Sequence, residues 1–181
     1  MKVQLSSAIP SQHETEVLVV PVVDHGTKDK SEGRPAAGDD AVRNIAKELA
    51  VADEITGKSY ETVLLHRPQG VNAKRVLFVG GGKAKNFTPY EIRRQAGAAV
   101  RFLKSKQFKR FSFLVPDFPD AAAAVRAVVE GAYVANFDPD TYKSDRKDQS
   151  VEELTIVTTA AGEVAQRAAD EGRIVGESQR R

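Results

Sequence analysis

Polar and apolar residues alternate from Lys2 to Ser6, the period of a strand with one covered face, so an edge strand is expected there. Val17 to Val23 is instead nearly continuous Val and Leu, as in a strand covered on both faces. Asp24 to Asp40 carries His25, Gly26, Gly33, Pro35, Gly38 and many charges, and reads as a long surface loop. From Ala41, Val42, Ile45, Ala46, Leu49 and Ala52 recur at helical spacing, with Asp39 or Asp40 placed to cap the first amides. The runs Thr62 to Leu65 and Val76 to Val79, joined by a Pro- and Gly-containing segment, predict an antiparallel hairpin.

Thr88-Pro89-Tyr90-Glu91 combines a capping hydroxyl, Pro in the first turn and a carboxylate able to return to the cap amide. The helix it starts carries the stripe Ile92, Ala96, Ala99, Val100 and Leu103 and should end near Gln107. Phe111 to Val115 follows as a strand, and Asp120 caps a third helix whose small, apolar composition places it deep against the sheet. Leu154 to Thr158 is a further strand. Gly162 to Ser178 is a last helix, expected to gather Val164, Ala168 and Val175 on one side. Strands interleaved with helices, plus one hairpin, predict a three-layer α/β fold: a mixed β-sheet flanked by helices on both faces.

Composition narrows this picture. A chain of 181 residues fits one domain, and 41% hydrophobic with 29% charged residues is ordinary globular usage. The absence of cysteine excludes a disulfide framework, thiolate metal ligands and a thiol nucleophile. The start Met1-Lys2-Val3-Gln4-Leu5 lacks a signal-peptide core, and no run approaches a membrane span, so no membrane partner and a cytoplasmic location are expected. With 27 Lys and Arg against 25 Asp and Glu, the net charge of +2 argues against nucleic-acid binding.

Gly80, Gly81, Gly82 and Lys83, at a strand end before a helix, are the weak candidates for a cofactor site, because exposed amides there attract anions. A Walker loop would need Gly at Leu77 and Ser or Thr at Ala84, and the dinucleotide spacing is also missing, so a tight structural turn is preferred. Asp138, Asp140, Asp145 and Asp148 crowd one loop, but Tyr142 and Lys143 stand where a calcium loop wants a ligand and a Gly. His13, His25 and His66 share no metal-ligand spacing. Arg93, Arg94, Arg101, Lys104, Lys106, Lys109 and Arg110 are read first as a solvated face. No catalytic residue, no metal site and no cofactor are assigned to this chain.

Glu61-Thr62-Val63-Leu64-Leu65-His66, Lys74-Arg75-Val76-Leu77-Phe78-Val79-Gly80-Gly81-Gly82-Lys83, Phe87-Thr88-Pro89 and Gln95-Ala96-Gly97-Ala98-Ala99 together resemble the amino-terminal domain of leucyl aminopeptidases. Glu130-Gly131-Ala132-Tyr133, then Phe137 and Tyr142-Lys143-Ser144, extend the resemblance, and Gly176-Glu177-Ser178 is similar to the start of that family's linker helix. The resemblance implies a macro-domain-like fold over residues 1–160 and a linker helix from 161 to 181. It also implies a catalytic domain beyond Arg181 that holds two divalent metals, zinc or manganese, and a homo-oligomer, hexameric in the family. The expected function is that of a non-catalytic accessory or assembly domain of a cytosolic metal-dependent aminopeptidase, with its own catalytic domain and neighbouring subunits as partners. A macro-type ADP-ribose or nucleotide module and a nucleic-acid-binding domain are the alternatives.

Overall fold

One sheet organises the chain: β1 (Lys2–Ser6), β2 (Leu18–Asp24), β3 (Gly33–Pro35), β4 (Thr62–His66), β5 (Arg75–Lys83), β6 (Arg110–Leu114) and β7 (Glu153–Val157). The helices are α1 (Asp40–Val51), α2 (Pro89–Ser105), α3 (Ala121–Asn136) and α4 (Gly162–Ser178). The computed structural model describes residues 1–137, 149–160 and 162–179. Strand order is β1-β7-β6-β2-β5-β4, with β3 pairing β2 off this path. Neighbours from β1 to β5 run parallel, while β4 lies antiparallel on β5 and β3 antiparallel on β2, so the sheet is mixed as expected.

Alternation along the central strands divides the core. Val17, Val19, Leu77 and Val79 pack under α2, α3 and α4, whereas Leu18, Val20, Val22, Val76 and Phe78 face α1 with Val42 and Ala46. This is why β2 needs an unbroken apolar run. The outer strands need only one covered face: Leu154, Ile156, Phe111 and Phe113 join the three-helix side. Their other face carries, in register, Gln4, Thr155 and Ser112 and then Lys2, Glu153 and Arg110. A polar cleft of about 890 Å³ lies over that half of the sheet.

Three expectations are corrected. Asp24 to Asp40 is not all loop: β3 folds back on β2, Val23 opposite Arg34, and Gly33 fits there because a side chain would strike Ile55. Gly80 to Lys83 does not form a turn after the strand but continues β5, with a register shift against β2 between Val22 and Asp24. Asp39 does stand at the cap position of α1, yet its carboxylate bonds the Ser11 hydroxyl rather than the helix amides. The other caps match expectation: Glu91 accepts from the Thr88 amide at 2.9 Å and Asp120 from the Ala123 amide at 3.0 Å.

The last helix also differs in which side it hides. Ala165, Ala168, Ala169, Gly172 and Gly176 are buried against α3, while Val164 and Val175 remain exposed. Close approach selects the small residues: a Cβ on Gly172 would lie 2.7 Å from the Arg126 carbonyl oxygen, and one on Gly176 2.7 Å from the Tyr133 Cβ. The helix thus docks within the domain.

Candidate functional site

The carboxyl-terminal edge of parallel strands is where α/β sheets gather ligands and partners, so the ends of β2 and β5 are the first place to look. Asp24 closes β2 and Lys83 closes β5, paired in the parallel register. The Asp24 carboxylate is 3% exposed; one oxygen accepts the Gly26 and Glu32 amides, each at 2.8 Å, and the other meets Lys83 Nζ at 2.9 Å. Burial by itself would raise the Asp24 pKa. The Lys83 hydrogen bond, the Glu32 and Gly26 amides and the Lys83 charge outweigh it and hold the group at about 2.

The three glycines are explained by crowding. A side chain on Gly80 would sit 1.9 Å from the Lys58 carbonyl oxygen, and one on Gly81 2.7 Å from the Gln95 amide nitrogen. Gly82 holds φ at +90°, the left-handed region that favours glycine. Two of their amides are also in use: Gly80 donates to Glu61 and Gly82 to Gly57, both at 2.8 Å. Lys83, besides Asp24, reaches the Thr27 carbonyl at 3.4 Å. An anion arriving here meets two spent amides and a neutralised ammonium.

Beside this strand end lies a cluster that the linear pattern does not single out. Arg94 on α2 stacks between two tyrosines, its guanidinium 4.7 Å from the Tyr60 ring and 5.6 Å from the Tyr90 ring, and its Nε donates to the Tyr60 hydroxyl at 2.5 Å. Both rings are exposed, and Tyr60 is held at φ +68° in the turn before β4. Under the stack, Gln95 is buried; its amide nitrogen donates to the Val22 and Val79 carbonyls at 3.2 and 3.0 Å, and its Oε1 has no partner. A pocket of about 10 Å³ between Tyr60, Gly80, Gly81 and Arg94 reaches Gln95, room for about one water. A polar residue inside the Ile92–Leu103 apolar stripe was the available signal for Gln95. Tyr60 gave none.

The remaining candidates are scattered. His13 Nε2 bonds the Ser112 hydroxyl at 2.8 Å in the polar cleft, and burial lowers its pKa; His25 and His66 are exposed. Arg93 pairs with Glu130 at 2.9 Å, Lys104 reaches the Ala135 and Asn136 carbonyls, Lys109 the Ser150 carbonyl, and Arg110 faces Glu153 at 3.5 Å. These cations pair with different elements. Among the described residues no three His, Cys, Asp or Glu side chains gather as a metal-holding group. Asp138, Asp140, Asp145, Asp148 and the Tyr142-Lys143-Ser144 segment lie outside the described residues.

Comparison with known proteins completes the description. The model of the cytosol aminopeptidase family, N-terminal domain, matches residues 19–146. A probable cytosol aminopeptidase of Koribacter versatilis is 43% identical over 99% of this chain and 38% of its own length. One from Acidobacterium capsulatum is 37% identical with the same coverage. The chain therefore spans just over a third of the length of these relatives. Among solved structures, a tomato leucine aminopeptidase mutant superimposes with a TM-score of 0.71 at 17% identity, over 95% of this chain and 35% of its own. A bottromycin maturation enzyme in complex with Mn gives 0.61 at 21%, over 90% and 30%. A macrodomain mutant of Oceanobacillus iheyensis gives 0.57 at 10%, over 92% and 89%, which makes the fold macro-domain-like.

Proposed function

Since the chain belongs to the cytosol aminopeptidase family as its amino-terminal domain, we propose that it is the accessory and assembly domain of a cytoplasmic, metal-dependent aminopeptidase, working by contact with the catalytic domain and with neighbouring subunits of a homo-oligomer. The observation that carries this reading is the match to the amino-terminal family model in relatives nearly three times as long. A two-metal hydrolytic centre requires several convergent carboxylates. The described residues do not fit that need: Asp24, the most buried acid, is committed to Lys83 and two amides. The metal pair is accordingly assigned to the domain that follows in the longer relatives. No helix among the described residues is long and apolar enough to cross a membrane.

Purified chain supplied with zinc or manganese is expected to leave leucine p-nitroanilide intact, measured by release of the chromophore. Chelator-sensitive turnover that scales with purified protein and survives removal of contaminating peptidases would overturn the non-catalytic assignment.

The macro-like fold motivates a second reading, a module for ADP-ribose or a related nucleotide. Against it stand the spent amides of Gly80 and Gly82 and the Lys83–Asp24 pair. Titration calorimetry with ADP-ribose should therefore give no saturable heat in the low micromolar range. A saturating isotherm there would put the binding module first.

A further inference from the structure

The geometry points to the surface formed by Tyr60, Tyr90 and Arg94 as the place where the catalytic domain of the aminopeptidase docks, through an acidic group presented to Arg94. This rests on the accessory-domain reading and gives it a location. Two independent features meet there.

The first is the position of the chain's exit. Gln179, one residue past α4, hydrogen-bonds the Arg93 guanidinium on α2. The relatives are nearly three times as long as this chain, and the proposal seats their further domain beside the amino-terminal half of α2. Tyr90, Arg93 and Arg94 share that part of the helix surface, three and four residues apart. Val175, one turn before Gln179 on the same side of α4, adds an exposed apolar neighbour.

The second is composition. Tyrosine and arginine are the residues that most often dominate protein interfaces, because rigid aromatic surface and a planar cation give large contact at low entropic cost. Here two exposed tyrosines pre-order one arginine. Among the described residues no carboxylate pairs with Arg94, in contrast to Arg93 and Arg126, each of which has one. Its polar contact is the Tyr60 hydroxyl. That leaves an oriented cation whose carboxylate neighbour in the pocket, Glu91, is bonded to Thr88 and not to it, and a further carboxylate is its complement.

The test is a binding titration between this full chain and the catalytic domain of the Koribacter versatilis relative, whose folding is verified by a cooperative thermal transition. Arg94→Glu should weaken binding by about 30-fold or more and Tyr90→Ala by about tenfold, the range of interface anchors. Lys47→Glu, an equal charge reversal on exposed α1 across the sheet, should change it less than threefold. Each variant should melt within a few degrees of the parent; Arg94→Ala replaces Arg94→Glu if the reversal unfolds the chain. Parent binding with Arg94 and Tyr90 variants as tight as the parent overturns the docking surface and leaves the accessory role intact. No binding by the parent chain to a folded partner overturns both.

Discussion

Gly131→Ala should lower the unfolding free energy by about 2–4 kcal/mol, while Gly97→Ala on the facing helix should be neutral or raise it by up to about 1 kcal/mol. Both substitutions put the same methyl into the middle of a helix, where alanine is intrinsically favoured over glycine, so propensity alone predicts two stabilised proteins. Packing separates them. A Cβ on Gly131 would lie 2.1 Å from the Arg93 carbonyl oxygen and 3.0 Å from its carbon, atoms of another helix's backbone that cannot rotate away. Relief requires α2 and α3 to part by about an ångström, which opens voids among Ala96, Ala99, Val128 and Ala132. A Cβ on Gly97 meets the flexible tip of Arg101 at 3.3 Å and the Ala135 Cβ at 3.8 Å, ordinary contacts after a small side-chain shift. Urea unfolding of the two variants beside the parent reads the difference as a shift in midpoint. Equal midpoints for the two variants would mean that the α2–α3 layer is not held at glycine distance.

That contrast marks how far the sequence could be read. The hairpin of β4 and β5, the Thr88–Glu91 capping box and the stripe from Ile92 to Leu103 were legible, because each is a local pattern whose physics closes within a few residues. The side on which α4 buries itself was not. Periodicity ranks residues by hydrophobicity and so selected Val164, Ala168 and Val175, whereas the close crossing of α3 selects by size and hides Gly172 and Gly176. β3 was missed for a related reason: three residues, one of them Gly and one Pro, carry no strand signal of their own and are held by the finished edge of β2.

The site was legible in its location and not in its content. A Gly-rich strand end before a capped helix drew attention to Gly80 through Lys83, and that edge does hold a buried charge, Asp24, paired with Lys83. Its meaning differs, because three features invisible in the linear sequence occupy it: the Lys58 carbonyl against Gly80, the Gly57 carbonyl on the Gly82 amide, and Asp24 from 59 residues earlier on Lys83. The Tyr60–Arg94–Tyr90 stack likewise joins a turn to a helix across the β4–β5 hairpin, so only the fold brings its parts together.

Asp24→Ala should cost about 2–4 kcal/mol at pH 7, the range for stripping the partners from a buried, charge-assisted group. The side chain removes three things together: the acceptor of the Gly26 amide, the acceptor of the Glu32 amide and the counter-ion of Lys83. Two of these tie the start and the end of the segment that leads into β3, so the change should also open residues 25–33 to limited proteolysis. Asp24→Asn separates the contributions. Its carbonyl can still accept both amides, which share one oxygen in the parent, but its amide would face the Lys83 ammonium, donor against donor. The loss should therefore be smaller than for Ala and confined to the Lys83 side. Acidity supplies the deciding measurement. The folded-state pKa of Asp24, about 2, lies below its ordinary 3.8, so its stabilising share is complete above pH 5 and is lost as pH falls through 4 toward 2. That share is roughly 2 kcal/mol, and about half of it should be gone by pH 3. The asparagine variant has no such group to protonate. The gap in unfolding free energy between parent and Asp24→Asn should therefore be widest near pH 6 and narrow by about 1 kcal/mol at pH 3. A gap that stays constant across that range would show that the carboxylate is not held ionised by Lys83, and the occupied edge that argues against nucleotide binding would lose its main support.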